Sequence, residues 1–350
     1  MTARLTLNKD RLTKQALLLQ SEVDTIAIVK NEAYNHGLET AYQAFYKGGI
    51  RAFATTNLSE AVQLRQWDAG IFILLMDPHT HFQTIRDHDI ALTVSSLSFY
   101  EKYKEELKDI TIQLVYRNDL NRMGFTQADQ MKHILEDPDM NVNGLWTHFA
   151  SADDFGIDRY EKEVSNWQAV LAELQEYLPS MTYIHAQNSA SYLRDRLLPY
   201  HTHVRGGVVL YGTRPYYDGL DETLAEQTIS IQANVIELTP VKAGQSIGYS
   251  AAYQVDKDTV IAVCDIGYGN GLIKGREAFP VIINQKSYPI RVMMMSHLLV
   301  EVDPDIKIGD TVHLYNDDLR FDWFTKQGLG SFSEQTAGLN KETFDIHFIG

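Results

Sequence analysis

Lys30 ends the apolar run TIAIVK and stands four residues before Tyr34 in AIVKNEAYNHG. Lysine is strongly hydrated and rarely ends a buried segment. Where it does, burial disfavours the ammonium and leaves a more nucleophilic amine. Other reactive side chains lie within or just after apolar runs. Arg122 lies in NDLNRMGF, His148 in WTHFASADD, Asn188 and Ser189 in HAQNSAS, and Arg205 with Gly206 and Gly207 in VRGGVVLYG. Singly, each has a plainer reading: a solvated lysine tip, a hydrogen-bonded histidine, a helix N-cap, a glycine bulge. Their shared position after successive runs is the informative feature.

Such side chains need elements that bring them together. Short apolar runs alternate with helix-period segments from about residue 24 to about residue 212. They are TIAIVK (25–30), RAFATT (51–56), IFILLM (71–76), ALTVSS (91–96), TIQLVYR (111–117), VNGLWTHFA (142–150), MTYIHAQ (181–187) and HVRGGVVLYG (203–212). Amphipathic stretches lie between several of them. RYEKEVSNWQAVLAELQEYL, for example, sets Trp167, Val170 and Leu171 on one face with charges opposite. Eight such units predict an α/β fold, a TIM (β/α)8 barrel over residues 10–222, in preference to a doubly wound sheet, which usually has fewer strands. After about residue 225 the runs become short and β-branched, as in SIQANVIEL, TVIAVCDIG and YPIRVMMM, and helical period returns only in the last 20 residues. This predicts a mostly β C-terminal domain over residues 223–350, to which residues 1–9 are assigned.

The active face of such a barrel lies at the C-terminal ends of its strands, where Lys30, Arg122, His148, Ser189 and Arg205 all fall. Loops after the seventh and eighth strands often seat a phosphate. Here Ser189 supplies a hydroxyl, and the glycines admit backbone N–H groups. A lysine beside a phosphate seat points to pyridoxal 5'-phosphate held as a Schiff base, with a partner for its ring nitrogen.

Composition bounds the rest. The 350 residues, 44% hydrophobic and 22% charged, suit a soluble protein of about two domains with a full core. The formal net charge of -15 argues against nucleic-acid partners and anionic membranes. Cys264 is the single cysteine, which excludes an internal disulfide. No signal-peptide pattern is visible, and no apolar run approaches the roughly 20 residues of a membrane helix. A cytoplasmic setting and a site without metal are expected.

Read in order, AIVKNEAYNHG, NRMGF, WTHFASADD, HAQNSAS, RGGVVLYG, IGYSAAY, DIGYGNG and MMMSHLLVEV run nearly end to end. Together they resemble the bacterial alanine racemases of the barrel-type pyridoxal-phosphate fold. The resemblance implies that Lys30 carries the cofactor. Tyr34, Ser189 and the backbone of Gly207 and Val208 would hold its phosphate. His148 would pack against the pyridine ring, and Arg205 would donate to the ring nitrogen with His185 behind it. Arg122 would meet the carboxylate of an amino-acid substrate. Tyr249 would be the second catalytic base, and Tyr268 and Met295 would line the entrance. The resemblance also implies a homodimer, with Tyr249 and Met295 acting on the neighbouring subunit's cofactor, and a role in supplying D-alanine to peptidoglycan.

Chemistry agrees with that assignment. Racemisation removes a proton from one face of Cα and returns one to the other, so one base on each face suffices: Lys30 and Tyr249. A free tyrosine titrates near 10, so the resemblance couples Tyr249 to a polar line through His148 and Arg205. An arginine on the ring nitrogen cannot give up its proton, which keeps that nitrogen unprotonated.

Three positions depart from the family pattern. Val115 stands where many members carry a lysine, often carbamylated, so Asn118 or a bound anion is expected to support Arg122. Ser296 follows Met295 in place of aspartate, which leaves a broader racemase, for serine or basic amino acids, as an alternative. The stretch ETFDIHFIG holds Phe344 and none of the family's Arg-Val-Pro-Arg, so a looser hold on phosphate is expected. A cofactor-binding pseudoenzyme is a further alternative. A decarboxylase is disfavoured, because Cys264 falls in a predicted strand outside that family's motif.

Overall fold

The computed structural model describes residues 2–156, 158–215 and 225–350. The chain divides into two compact units, residues 12–225 and residues 1–11 with 226–350. The expected boundary at residues 222 and 223 lies outside the described residues.

β1 (Arg4–Asn8) belongs to the second unit. The first unit is built on β2 (Thr25–Ile28), β3 (Ala52–Thr55), β4 (Phe72–Leu75), β5 (Ala91–Val94), β6 (Thr111–Val115), β7 (Asn141–Trp146), β8 (Tyr183–His185) and β9 (Val204–Gly206). They form one parallel sheet in the order β8-β7-β6-β5-β4-β3-β2-β9. Thr202 N donates to the Ile184 carbonyl at 2.9 Å, and Arg205 N to the Gln187 carbonyl at 2.9 Å, which joins β8 to β9 and closes the barrel. β2, β3, β5 and β9 are buried at every position. Strands covered on both faces read as unbroken apolar runs, which is why they stand out in the sequence. Ile26, Ala54, Leu74, Val115 and Trp146 pack together inside. Helices cover the outside. The longest described one between barrel strands, Arg159–Glu173, buries Tyr160, Trp167, Val170 and Leu171.

The second unit adds β10 (Ile229–Val241), β11 (Ser246–Ile247), β12 (Tyr253–Gln254), β13 (Thr259–Cys264), β14 (Val281–Ile283), β15 (Lys286–Tyr288), β16 (Ile290–Met293), β17 (Leu298–Val302), β18 (Thr311–Tyr315) and β19 (Asp345–Ile349). A nine-stranded sheet runs β15-β14-β18-β10-β13-β17-β16, with β1 pairing β10 and β19. Its pairings are antiparallel except β1 with β19. Buried and half-buried positions alternate along the first part of β10, the period-2 signature of a sheet with one covered face. β11 and β12 form a separate hairpin.

The helical period expected over the last 20 residues holds only for Phe332–Ala337, a helix opened by a Ser331/Glu334 capping box. The chain then returns to the sheet as β19, because parallel pairing with β1 satisfies its backbone from Asp345 to Ile349. Among the described residues, no helix is long and apolar enough to cross a membrane.

Candidate active site

Lys30 follows the fully buried β2 and is itself half-buried. Burial lowers its ammonium below the ordinary lysine value. The charges of Arg122 and Arg205 push the same way, and Asp77 opposes them. The backbone beyond it is left-handed for five non-glycine residues: Asn31, Glu32, Ala33, Tyr34 and Asn35 have φ of 54°, 53°, 54°, 53° and 67°. Each such residue costs about 1–2 kcal/mol, so neighbours must hold the turn. Ala33 N bonds the Val29 carbonyl, and Gly37 N the Glu32 carbonyl, both at 2.9 Å. Glu60, buried at the start of the helix Leu58–Trp67, accepts Glu32 N at 2.8 Å and bonds the Thr55 hydroxyl. Tyr211 Oη donates to the Ile28 carbonyl at 2.8 Å, and its ring lies 4.8 Å from that of Tyr34.

The turn aims Tyr34 at the loop after β9. A Cβ built on Gly207 would lie 3.4 Å from Tyr34 Oη and 3.8 Å from Ser189 Oγ, so these three positions converge. Burial raises the Tyr34 phenol to about 12, which keeps it protonated and a donor. Ser189 Oγ accepts Gly207 N at 3.1 Å and Val209 N at 3.3 Å. Val208 opens the one-turn 3-10 helix Val208–Tyr211. Asn188 caps the helix Ser189–Asp195 through a reciprocal pair with Ser191 and also donates to the Phe149 carbonyl at 3.0 Å.

Arg205 is 2% exposed. One terminal nitrogen donates to His185 Nδ1 at 2.8 Å and to the His185 carbonyl at 3.1 Å. The other donates to the carbonyls of Thr147 at 2.8 Å and Ala186 at 2.7 Å, and to His148 Nδ1 at 3.0 Å. Its Nε–H makes none of these bonds. Burial and Arg122 pull the guanidinium down to about 9, so it stays charged at neutral pH. A guanidinium has no acceptor, so both histidines must accept at Nδ1 and carry their proton on Nε2. His185 Nε2 then donates to Gln113 Oε1 at 2.9 Å. Burial and the neighbouring Arg205 charge hold both imidazoles well below the ordinary histidine value, so they are neutral. Gln113 was missed in the sequence reading. Its only signal there is a polar residue inside the apolar run TIQLV, and the glycine at position 144 leaves room for it: a Cβ there would sit 2.7 Å from Gln113 Cδ.

Arg122 is exposed, and its charge reaches Lys30, His148 and Arg205. The expected support from Asn118 is not made. Asn118 Nδ2 donates to the Glu163 carbonyl at 2.7 Å, and its Oδ1 accepts Asp119 N at 3.0 Å and Asn166 Nδ2 at 3.3 Å. The amide is spent on the helix beside it.

The remaining three expected residues lie in the second unit. Tyr249 is 81% exposed on a turn after Gly248, where Ser250 and Ala251 are left-handed. Tyr268 and Met295 are brought together, since Tyr268 N bonds the Met294 carbonyl at 3.0 Å and Gly269 N the Met295 carbonyl at 2.8 Å. A side chain at Gly267 would come within 2.2 Å of the Met294 carbonyl, so glycine is what permits this approach.

Comparison with known proteins gives one answer. Residues 4–215 match the family described as alanine racemase, N-terminal domain, and residues 228–332 match alanine racemase, C-terminal domain. The chain is 40% identical over 358 aligned positions to alanine racemase 2 of Staphylococcus aureus strain Mu50, covering 100% of this chain and 99% of that protein. It superposes on the crystal structure of alanine racemase from E. faecalis with a TM-score of 0.89 at 22% identity, over 99% of this chain and 98% of that one. It also superposes on that from Bartonella henselae, a structure with covalently bound pyridoxal phosphate, with a TM-score of 0.89 at 22% identity over the whole of both chains. With both domains matched in order and a relative of this identity spanning its full length, the chain belongs to the alanine racemase family.

Proposed function

We propose that this protein interconverts L- and D-alanine as a pyridoxal-phosphate-dependent isomerase, with Lys30 and Tyr249 as its two bases. The full-length family match supports the reaction. The residue assignment rests on one observation, the convergence at the barrel mouth of a desolvated amine, the polar seat formed by Tyr34, Ser189 and Gly207, and a buried guanidinium with a spare donor.

The residues present fit the cofactor. Tyr34 Oη, Ser189 Oγ and the backbone at Gly207 and Val208 would hold a phosphate, with the Gly207 N–H, which meets Ser189 Oγ here, shared with it, and the glycine at 207 keeps that space free of a side chain. Bound through the Lys30 amine, pyridoxal 5'-phosphate supplies an electron sink that acidifies the substrate Cα–H. Lys30 Nζ removes or returns the proton on one face, and Tyr249 Oη on the other. His148, held neutral, would pack on the cofactor ring. Arg205, whose Nε–H is left over from the bonds its terminal nitrogens make, would hold the ring nitrogen and keep its own proton, which would leave the ring a modest sink and favour proton return over side reactions. Arg122 receives the substrate carboxylate, and Tyr268 and Met295 line the entrance.

Tyr249, Tyr268 and Met295 are all exposed on their own unit. That exposure supports a homodimer in which these side chains serve the neighbouring subunit's barrel. The reading places the protein in the cytoplasm, supplying D-alanine for peptidoglycan. Ser296, exposed beside Met295, leaves the entrance without a carboxylate at that position and favours a second reading, a wider range that takes in serine or basic amino acids.

Purified protein incubated with L-alanine and other L-amino acids, each followed for its mirror form, tests both readings. D-alanine formed fastest supports the first. Faster turnover of serine or a basic amino acid supports the second, and no product from any of them ends both.

A further inference from the structure

One residue outside the proposed machinery touches two of its loops. Glu163, on the helix Arg159–Glu173, is fully buried. Its Oε2 accepts the backbone N–H of Ala150 at 2.9 Å and of Ser151 at 3.3 Å, the two residues that follow His148 and Phe149. Its other oxygen, Oε1, has no hydrogen-bond partner among the described residues. The same residue's carbonyl accepts Asn118 Nδ2 at 2.7 Å, four residues before Arg122, and Asn166 one turn along the helix closes on Asn118 Oδ1.

Burial disfavours the charged form of Glu163 more than its two backbone bonds and Arg159 support it, and a fold retains such a carboxyl where its acceptor capacity is needed. Two consecutive backbone N–H groups in the loop after β7 have no ladder partner, and leaving the buried one, at Ser151, unmet would cost more than the usual hydrogen bond contributes. Collecting both on one oxygen fixes the peptide planes that follow His148. The loop so fixed extends further, because the Phe149 carbonyl accepts from Asn188, the cap of the helix that begins at Ser189.

We propose that Glu163 is a positioning residue for the barrel mouth. Its side chain sets the loop that carries His148, and its carbonyl sets, through Asn118, the loop that carries Arg122. One helical residue thereby fixes the spacing between the contact to the cofactor ring and the contact to the substrate carboxylate. This rests on the roles of His148 and Arg122 given above.

Three variants of the cofactor-loaded enzyme test it: Glu163→Leu removes the acceptor, Glu163→Gln keeps an acceptor oxygen, and Asn118→Ala cuts the carbonyl arm alone. Displacement of a loop by about 1 Å costs on the order of a hundredfold in rate, so Glu163→Leu is expected to lower kcat/KM by about tenfold to a hundredfold. It should also shift the absorption band of the bound cofactor, and Glu163→Gln should restore both. Asn118→Ala should raise KM for alanine and leave the band in place. Glu163→Leu with wild-type kinetics and band, whatever its melting temperature, overturns the proposal, as does Glu163→Gln as impaired as Glu163→Leu. If Glu163→Leu does not fold, Asn118→Ala decides, and unchanged KM counts against the proposal. A wild-type protein without racemase activity or bound cofactor would instead sink the functional reading itself.

Discussion

The turn after Lys30 and the turn that carries Tyr249 use the same backbone device in different surroundings. Both bend through left-handed non-glycine residues, Asn31 to Asn35 in one and Ser250 with Ala251 in the other. The first is pinned inside its own unit. Ala33 is fully buried, Glu60 takes the Glu32 N–H, and Tyr211 closes on the Ile28 carbonyl. The second stands on a short hairpin, and Tyr249 is 81% exposed. Its closest constraint is Gly248, where a Cβ would lie 2.9 Å from Val292 Cγ1. Strained backbone persists where the surroundings over-determine it. One half of the proposed base pair is therefore preorganised by its own fold, and the other is presented for a second surface to complete.

The largest test of that contrast is Lys30→Ala. It should abolish cofactor attachment and lower racemisation by at least about 10⁴-fold, the upper range for a positioned proton-transfer group. Tyr249→Phe should keep the cofactor and slow turnover by about 10²–10³-fold, with proton abstraction from L-alanine affected more than from D-alanine, as isotope exchange from each enantiomer would read. Equal losses in both directions break the two-face assignment. Because the exposed half is proposed to act across a dimer, mixing Lys30→Ala with Tyr249→Phe subunits should recover activity after exchange. A mixture as inactive as its components would break the contrast at its root.

Acid should weaken the preorganised half. His185 and His201 are buried in the barrel unit and His148 is half-buried there, and all three have depressed pKa values, His201 at about 4. The unfolded chain binds these protons more readily, so the stability they contribute is complete above about pH 6.5 and is lost as pH falls through the folded values. His201 alone accounts for about 3 kcal/mol by pH 4. Thermal melts of the wild type and His201→Gln across pH 7 to 4 should converge at the acid end, and parallel curves would contradict this.

The smallest effect concerns the turns themselves. Glycine relieves left-handed strain of about 1 kcal/mol per residue, part of which is offset by added unfolded-state freedom. Ala33→Gly and Ala251→Gly should each raise the melting temperature slightly. Only Ala33→Gly should loosen Lys30 and lower kcat, since Ala251 follows Tyr249 on an exposed turn. The same kcat loss in both variants would mean that the two turns are equally preorganised.

Much of this was legible from residue order. Barrel strands buried on both faces appear as apolar runs, and the side chains at their ends fall at one rim, so Lys30, His148, Ser189 and Arg205 can be placed together from residue order alone. The left-handed turn could not be. Asn31, Asn35 and Gly37 hint at it, but Glu32, Ala33 and Tyr34 have no preference for that region and adopt it because Glu60 and Tyr211, distant in sequence, hold them there. Asn118 was read as support for Arg122 by proximity along the chain, and the helix carrying Glu163 and Asn166 claims its amide instead. The last strand was hidden for a similar reason, since DIHFI has weak apolar alternation and becomes a strand through pairing with β1.

The most direct test of the account is reduction of the cofactor-loaded protein with borohydride, followed by peptide mapping. The account predicts a stable pyridoxyl group on Nζ of Lys30, in the peptide that runs into NEAYNHG. Label on any other lysine, or none retained, would contradict it.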